Sequence, residues 1–225
     1  MLVRWLVTME LRVKKTRAHH KYITEEGKVV PGATTVIANL GWNKQVLMNW
    51  AKREALKGND PDKLKEAAAD IGTCAHYMCE CDAKEVQADL TEYSEVTIKV
   101  AKKCFKGYLD WKKAYGIVDI TSEIAVVDSK LEYGGMIDLL CTNGEGKRIL
   151  ADIKTSSGVY PDHRIQLAAY HHLLVENGYS IDDTFILHLG KNGDFTAYKL
   201  GDLSLYWEAF ECCLRLHKLK HQLGG

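Results

Sequence analysis

Two short stretches, GGMIDLLC at 134–141 and RILADIKTSS at 148–157, each set an aspartate in the middle of an apolar, strand-like run. Strand alternation places Leu150, Asp152 and Lys154 on one face and Ile149, Ala151 and Ile153 on the other; it places Asp138 on the face of Met136 and Leu140. A carboxylate among apolar neighbours is expensive to bury alone, so each aspartate calls for a cation or a metal. If the two strands pair as a hairpin, Asp138 and Asp152 lie near each other and repel, unless a divalent ion sits between them. Oxygen ligands of this hardness suit Mg2+ or Mn2+. Lys154 then projects from the same face toward a water or a phosphate oxygen. On Asp-x-Lys alone, a buried ion pair in a purely structural sheet is the stronger reading, because the tripeptide is common.

The rest of the chain supplies a frame for these strands. Residues 1–15 read as a strand, and HHKYITEEGKVVPG reads as a hairpin turning at Glu26-Gly27. A helix is predicted over 33–57, broken near Gly41. Asp60 and Pro61 offer an N-cap and a first helical residue for a helix running to Asp82, and a further helix spans 94–115 and stops at Gly116. The periodicity then changes. Strands are predicted at 117–127, 135–141 and 148–155, a helix at 161–176, strands at 184–189 and 195–199, and a last helix at 203–222. That order predicts one α/β domain over 1–225, with a central mixed sheet flanked by helices. Within it, 1–60 holds the N-terminal strands and helix, 61–200 the core and 201–225 the last helix.

Two further motifs stand on helices. In IGTCAHYMCE, Gly72, His76 and Glu80 recur every four residues and form one stripe. The glycine allows that helix to come close, and the imidazole can act as a metal ligand. In HRIQLAAYHHLL, Gln166 and Tyr170 are likewise four apart. Taken singly, the histidine and the Gln–Tyr pair are each more ordinary as packing residues.

In sequence order these read Gly-Thr-x-x-His, Gly-x-x-Asp, Asp-x-Lys-Thr and Gln-x-x-x-Tyr. The set resembles the RecB-like branch of the PD-(D/E)XK nuclease superfamily over 72–170, close to half of the chain. The upstream PGATTVIANLGWNKQVLMNWA is similar to the corresponding segment of phage exonucleases and of the mitochondrial genome maintenance exonuclease group. The resemblance implies a restriction-endonuclease-like core in which His76, Asp138, Asp152 and the backbone carbonyl of Ile153 hold Mg2+ or Mn2+. It implies that Lys154 positions or deprotonates the attacking water, and that Gln166 and Tyr170 order the site or touch the DNA backbone. Glu80 and Glu123 match glutamates of the family and are expected to support the ligands rather than to bind the ion. The proline that gives the superfamily its name is replaced by Gly134-Gly135, which is usual in this branch. Iron–sulfur relatives need one upstream cysteine and a spaced trio near the C-terminus. Only Cys212-Cys213 lies there, so no cluster is expected.

The implied activity is metal-dependent DNA hydrolysis to 5′-phosphate and 3′-hydroxyl ends by an exonuclease of a phage-type recombination or repair system. Single- or double-stranded DNA stays open as the substrate, and a recombinase or single-strand-binding protein is a conceivable partner. The alternatives are a structure- or sequence-specific endonuclease of the same superfamily, or a catalytically silent DNA-binding module. Lysine plus arginine balances aspartate plus glutamate at 30 each, so bulk charge gives no sign of a nucleic-acid partner. Local patches do. Lys99, Lys102, Lys103 and Lys106 form a helical stripe, and Arg12, Lys14, Lys15, Arg17 and Lys21 a second tract; both could follow phosphates or simply face water. Trp42 and Trp50 could stack on bases, but their spacing points to the core. The seven cysteines form no disulfide-like framework and the N-terminal apolar run is too short for a signal peptide, so a reducing cytoplasm is expected, an infected host cell included. No run approaches the roughly 20 apolar residues of a membrane span.

Overall fold

A computed structural model describes residues 20–224, so the expected N-terminal strand and the basic residues Arg12, Lys14, Lys15 and Arg17 fall outside the described residues. The chain from Gly116 onward builds the sheet. Its strands are β3 (Ile117–Asp128), β4 (Tyr133–Asn143), β5 (Arg148–Lys154), β6 (Asp183–Leu189) and β7 (Phe195–Leu200), in that spatial order. All neighbours are antiparallel except β5 and β6. That parallel pair needs a crossover, and α5 (Pro161–Glu176) supplies it. A small hairpin, β1 (Tyr22–Ile23) and β2 (Val29–Val30), turns through Gly27, whose φ of 82° suits glycine.

Helices cover both faces, giving the single α/β domain with a mixed central sheet that the element order predicts. Against one face pack α1 (Ala33–Ile37), α5 and α6 (Ser204–Gln222), with Leu150 and Ile186 from the sheet. Against the other pack α3 (Pro61–Ala83) and α4 (Glu95–Ala114), with Ile149, Ala151, Ile153 and Leu187. Asp60 caps α3 by accepting from the Asp62 and Lys63 amides, and Ser94 caps α4 by accepting from Thr97. The helix expected over 33–57 is split. Ala38–Leu40 forms a 3-10 turn, Gly41 ends it at φ 61°, and α2 (Lys44–Leu56) follows. No residue of α2 is buried. Trp42 lies in the turn before α2 and is 58% exposed rather than in the core. Among the described residues, no helix is long and apolar enough to cross a membrane.

Candidate metal centre

The sheet is irregular at one place, and the candidate site lies there. Side-chain alternation predicts Leu139 and Ile137 on one face, yet Ile137 packs with Leu150 while Leu139 and Cys141 pack on the opposite side. On β3, Ile124 and Ile120 part in the same way. The change of phase falls at Glu123, a non-glycine residue at φ 53° in mid-strand. Register runs Ser122↔Leu139 and then Ile124↔Ile137, which leaves Glu123 opposite Asp138. The expectation that Asp138 simply shares a face with both Met136 and Leu140 is therefore corrected: the strand changes phase beside it. A left-handed residue inside a strand costs roughly 1–3 kcal/mol and persists only where the surroundings hold it.

Backbone pairing between β4 and β5 also ends here, at Leu139↔Ala151. Beyond that point the Ile153 amide donates to Asp138 Oδ2 at 2.8 Å, so a side chain takes the place of a strand carbonyl. Asp138 is thus buried, 3% exposed, in the cleft where two strands part. His76 arrives from α3, its Nδ1 3.7 Å from Asp138 Oδ2. Gly72 permits this approach: a Cβ there would sit 3.0 Å from Thr155 Oγ1 at the end of β5. His76, Glu123 and Asp138 each offer one ligand atom, and the three atoms lie within 4.8 Å of one another.

Asp152 and Lys154 stand beside this group. Asp152 is 1% exposed, and its Oδ2 lies 2.6 Å from Lys154 Nζ. Tyr170 is buried near both aspartates: burial, then the carboxylates of Asp152 and Asp138, push its phenol well above the ordinary value. Gln166 Nε2 donates to Tyr170 Oη at 2.7 Å, so the predicted Gln–Tyr pair is a direct contact. The tyrosine ring fits because Gly135 has no side chain; a Cβ there would come within 2.7 Å of it. Gly134 does the same for Tyr22 on the other side.

Other sequence candidates fall at the margin. Glu80 pairs with Lys84 Nζ at 2.5 Å one turn along α3. Lys99, Lys102, Lys103 and Lys106 are all exposed on α4, with Lys106 bound to Asp110. Two histidines not singled out from sequence stand near Lys154. His188 lies opposite it in the β5–β6 register and contacts the Ser156 carbonyl oxygen through Nε2 at 2.7 Å. His163 is pulled down to about 4 by burial, then by the Lys154 charge. Its Nδ1 accepts from the Tyr160 amide at 3.3 Å, which requires that nitrogen to be unprotonated.

The donor set fits a divalent ion. Octahedral Mg2+ or Mn2+ has ligands at 2.0–2.1 Å, hence about 3–4 Å apart, and the separations here need only small side-chain adjustments to meet that. Two carboxylates supply the hard oxygen donors that Mg2+ and Mn2+ take, and the imidazole is a donor that Mn2+ accepts more readily than Mg2+.

No family model matches the sequence, and no curated protein matches it. Twenty-six chains of solved structures are similar. One is SSO0001, 17% identical over 55% of this chain and 62% of that one, with a TM-score of 0.34. The chain therefore spans less than two thirds of that relative. A "Putative exonuclease" from Eubacterium rectale is 11% identical over 70% of this chain and 68% of that one, with a TM-score of 0.43. LHK-Exo, solved in complex with dAMP, is 14% identical over 70% of this chain and 91% of that one, with a TM-score of 0.34. All three TM-scores lie below 0.5, so what the site does has to come from its own residues.

Proposed function

We propose that this chain is a divalent-metal-dependent DNA nuclease of RecB-like PD-(D/E)XK type, acting as an exonuclease. The observation that carries the reading is the convergence of His76, Glu123 and Asp138 at a strained, splayed point of the sheet, next to the buried Asp152–Lys154 pair. A purely structural sheet has no need to bury two aspartates together and hold a glutamate at positive φ beside them. Such concentrated cost is characteristic of functional sites.

In this reading His76, Glu123 and Asp138 hold the ion and Asp152 completes its environment. Glu123 thus moves from the supporting role expected of it to a ligand. A bound divalent ion lowers the pKa of a water and polarises a phosphate oxygen. Lys154 brings a cation to where negative charge develops on the phosphate and orients the attacking water. The Ile153 amide keeps Asp138 aimed into the cleft. Gln166 fixes the Tyr170 hydroxyl, and Tyr170 closes the site from the α5 side. Hydrolysis leaves 5′-phosphate and 3′-hydroxyl ends.

The test is an assay on 5′- and 3′-labelled linear DNA, single-stranded DNA and closed circular DNA with Mg2+ or Mn2+. The expected result is degradation of linear substrate, arrested by EDTA, with the circle intact. Cutting of the circle would assign the site to an endonuclease instead. Absence of cleavage on every substrate in both metals would leave a silent DNA-binding module.

A further inference from the structure

The α1–α2 segment and the first turns of α5 bound a cavity of about 300 Å³, and Gln166, the partner of Tyr170, forms part of its wall. Taking the nuclease reading as given, we propose that this cavity seats one unpaired base of the DNA strand whose phosphate lies at the metal centre. Its place fits that role. Gln166 lines the cavity and donates to the hydroxyl of Tyr170, whose buried phenol is raised by the charges of Asp152 and Asp138, so this pair links the cavity to the site.

Its chemistry suits a base: beside the apolar lining, Lys44 and Asp162 bring one charge of each sign, so no net positive charge draws a phosphate. Ile37, Leu40 and Leu47 supply an apolar lining, and Trp42, more than half exposed, adds an aromatic ring to the wall. Stacking on such a ring accepts any base. Asp162 also lines the cavity. Its Oδ2 accepts from Asn43 Nδ2 at 3.1 Å, while its Oδ1 is buried with no hydrogen-bond partner among the described residues. A buried acceptor without a donor is costly, and a ligand N–H repairs it. A carboxylate repels a phosphate but accepts from a base amino or imino group. The volume, at the lower end of small-molecule sites, suits one base and excludes a duplex.

The test uses the full chain in Ca2+, with fluorescence anisotropy of labelled single-stranded oligonucleotides in which one abasic residue is stepped along the strand. Gels confirm that the strand stays uncut. Wild-type protein should show one position where loss of the base weakens binding about tenfold. In Trp42→Ala and in Asp162→Ala that penalty should shrink below about threefold, with Trp42→Phe keeping most of it and unchanged melting temperatures showing that the variants fold. A flat abasic profile in wild type, or a full penalty in Trp42→Ala, overturns the proposal. If the flat profile comes with metal-dependent cleavage, the base site fails and the nuclease stands; if the protein neither binds nor cuts DNA, both fail.

Discussion

On one side of the candidate site the C-terminal half of α3 is locked to the sheet. Cys74, Ala75, Met78 and Cys79 are buried against β4 and β5, and Gly72 lies close to Thr155. On the other side α2 buries nothing, with Val46, Leu47, Met48 and Leu56 all exposed, and the stretch 62–70 of α3 is equally bare. The first side brings His76 to Asp138, its Nδ1 3.7 Å from the carboxylate. The second borders the cavity and is held by few contacts. Ligands of an ion need fixed geometry, whereas a wall that receives a flexible strand can be thinly packed. Substitutions on the two sides should therefore differ in kind.

The largest effects belong to the locked side. Asp138→Ala, Asp152→Ala and Lys154→Ala should each abolish cleavage while the protein stays folded, read by a nuclease assay beside a thermal melt. Losing one of two neighbouring buried carboxylates relieves their mutual repulsion, whereas Lys154→Ala leaves the buried Asp152 without its cation and should cost the most stability of the three. Wild-type rates in any two of these variants would remove them from the site.

Next comes the close approach of α3. Gly72→Leu must push the helix away from Thr155, at a cost of about 1–3 kcal/mol for overpacking. Cleavage should fall with it as His76 is displaced. Leu56→Ala, at a residue 89% exposed, should stay within about 0.5 kcal/mol. Equal changes in denaturant midpoint for the two would erase the contrast between the sides.

The smallest effect is at the cavity wall. His163 has its pKa lowered from 6.5 to about 4 in the fold. Between those values the unfolded chain takes up a proton that the folded chain refuses, so stability falls as pH drops through the window. His163→Gln removes that contribution, and the variant should lose less stability than wild type between pH 7 and pH 4.5. Partial exposure keeps the difference modest. Identical losses in denaturation at the two pH values would show that the imidazole is not held neutral.

The same contrast explains what could be read from the sequence. The sheet from Ile117 to Leu200 and helices α3 to α6 follow from periodicity and caps, because each buries a face and so carries a pattern. Asp138, Asp152, Lys154 and His76 were legible through ordered motifs, and Gln166–Tyr170 through helical spacing. Glu123 was visible as a residue but not as a ligand candidate. Its position depends on a left-handed backbone and a cross-strand register that no local pattern records. Trp42 failed for the opposite reason. Helical spacing suggests burial, but the helix begins only at Lys44, so Trp42 sits in the exposed turn before it. Asp162 and His163 gave no signal, since their surroundings form only when α1, α2 and α5 meet.

The most direct measurement is the rate of cleavage of a labelled oligonucleotide as a function of Mn2+ concentration, wild type against Glu123→Ala. If His76, Glu123 and Asp138 hold the ion, the variant should need at least about tenfold more Mn2+ or lose cleavage outright, as expected for loss of a group that orders the metal. A variant that matches wild type at every Mn2+ concentration, or a wild-type rate that persists in EDTA, would contradict the account.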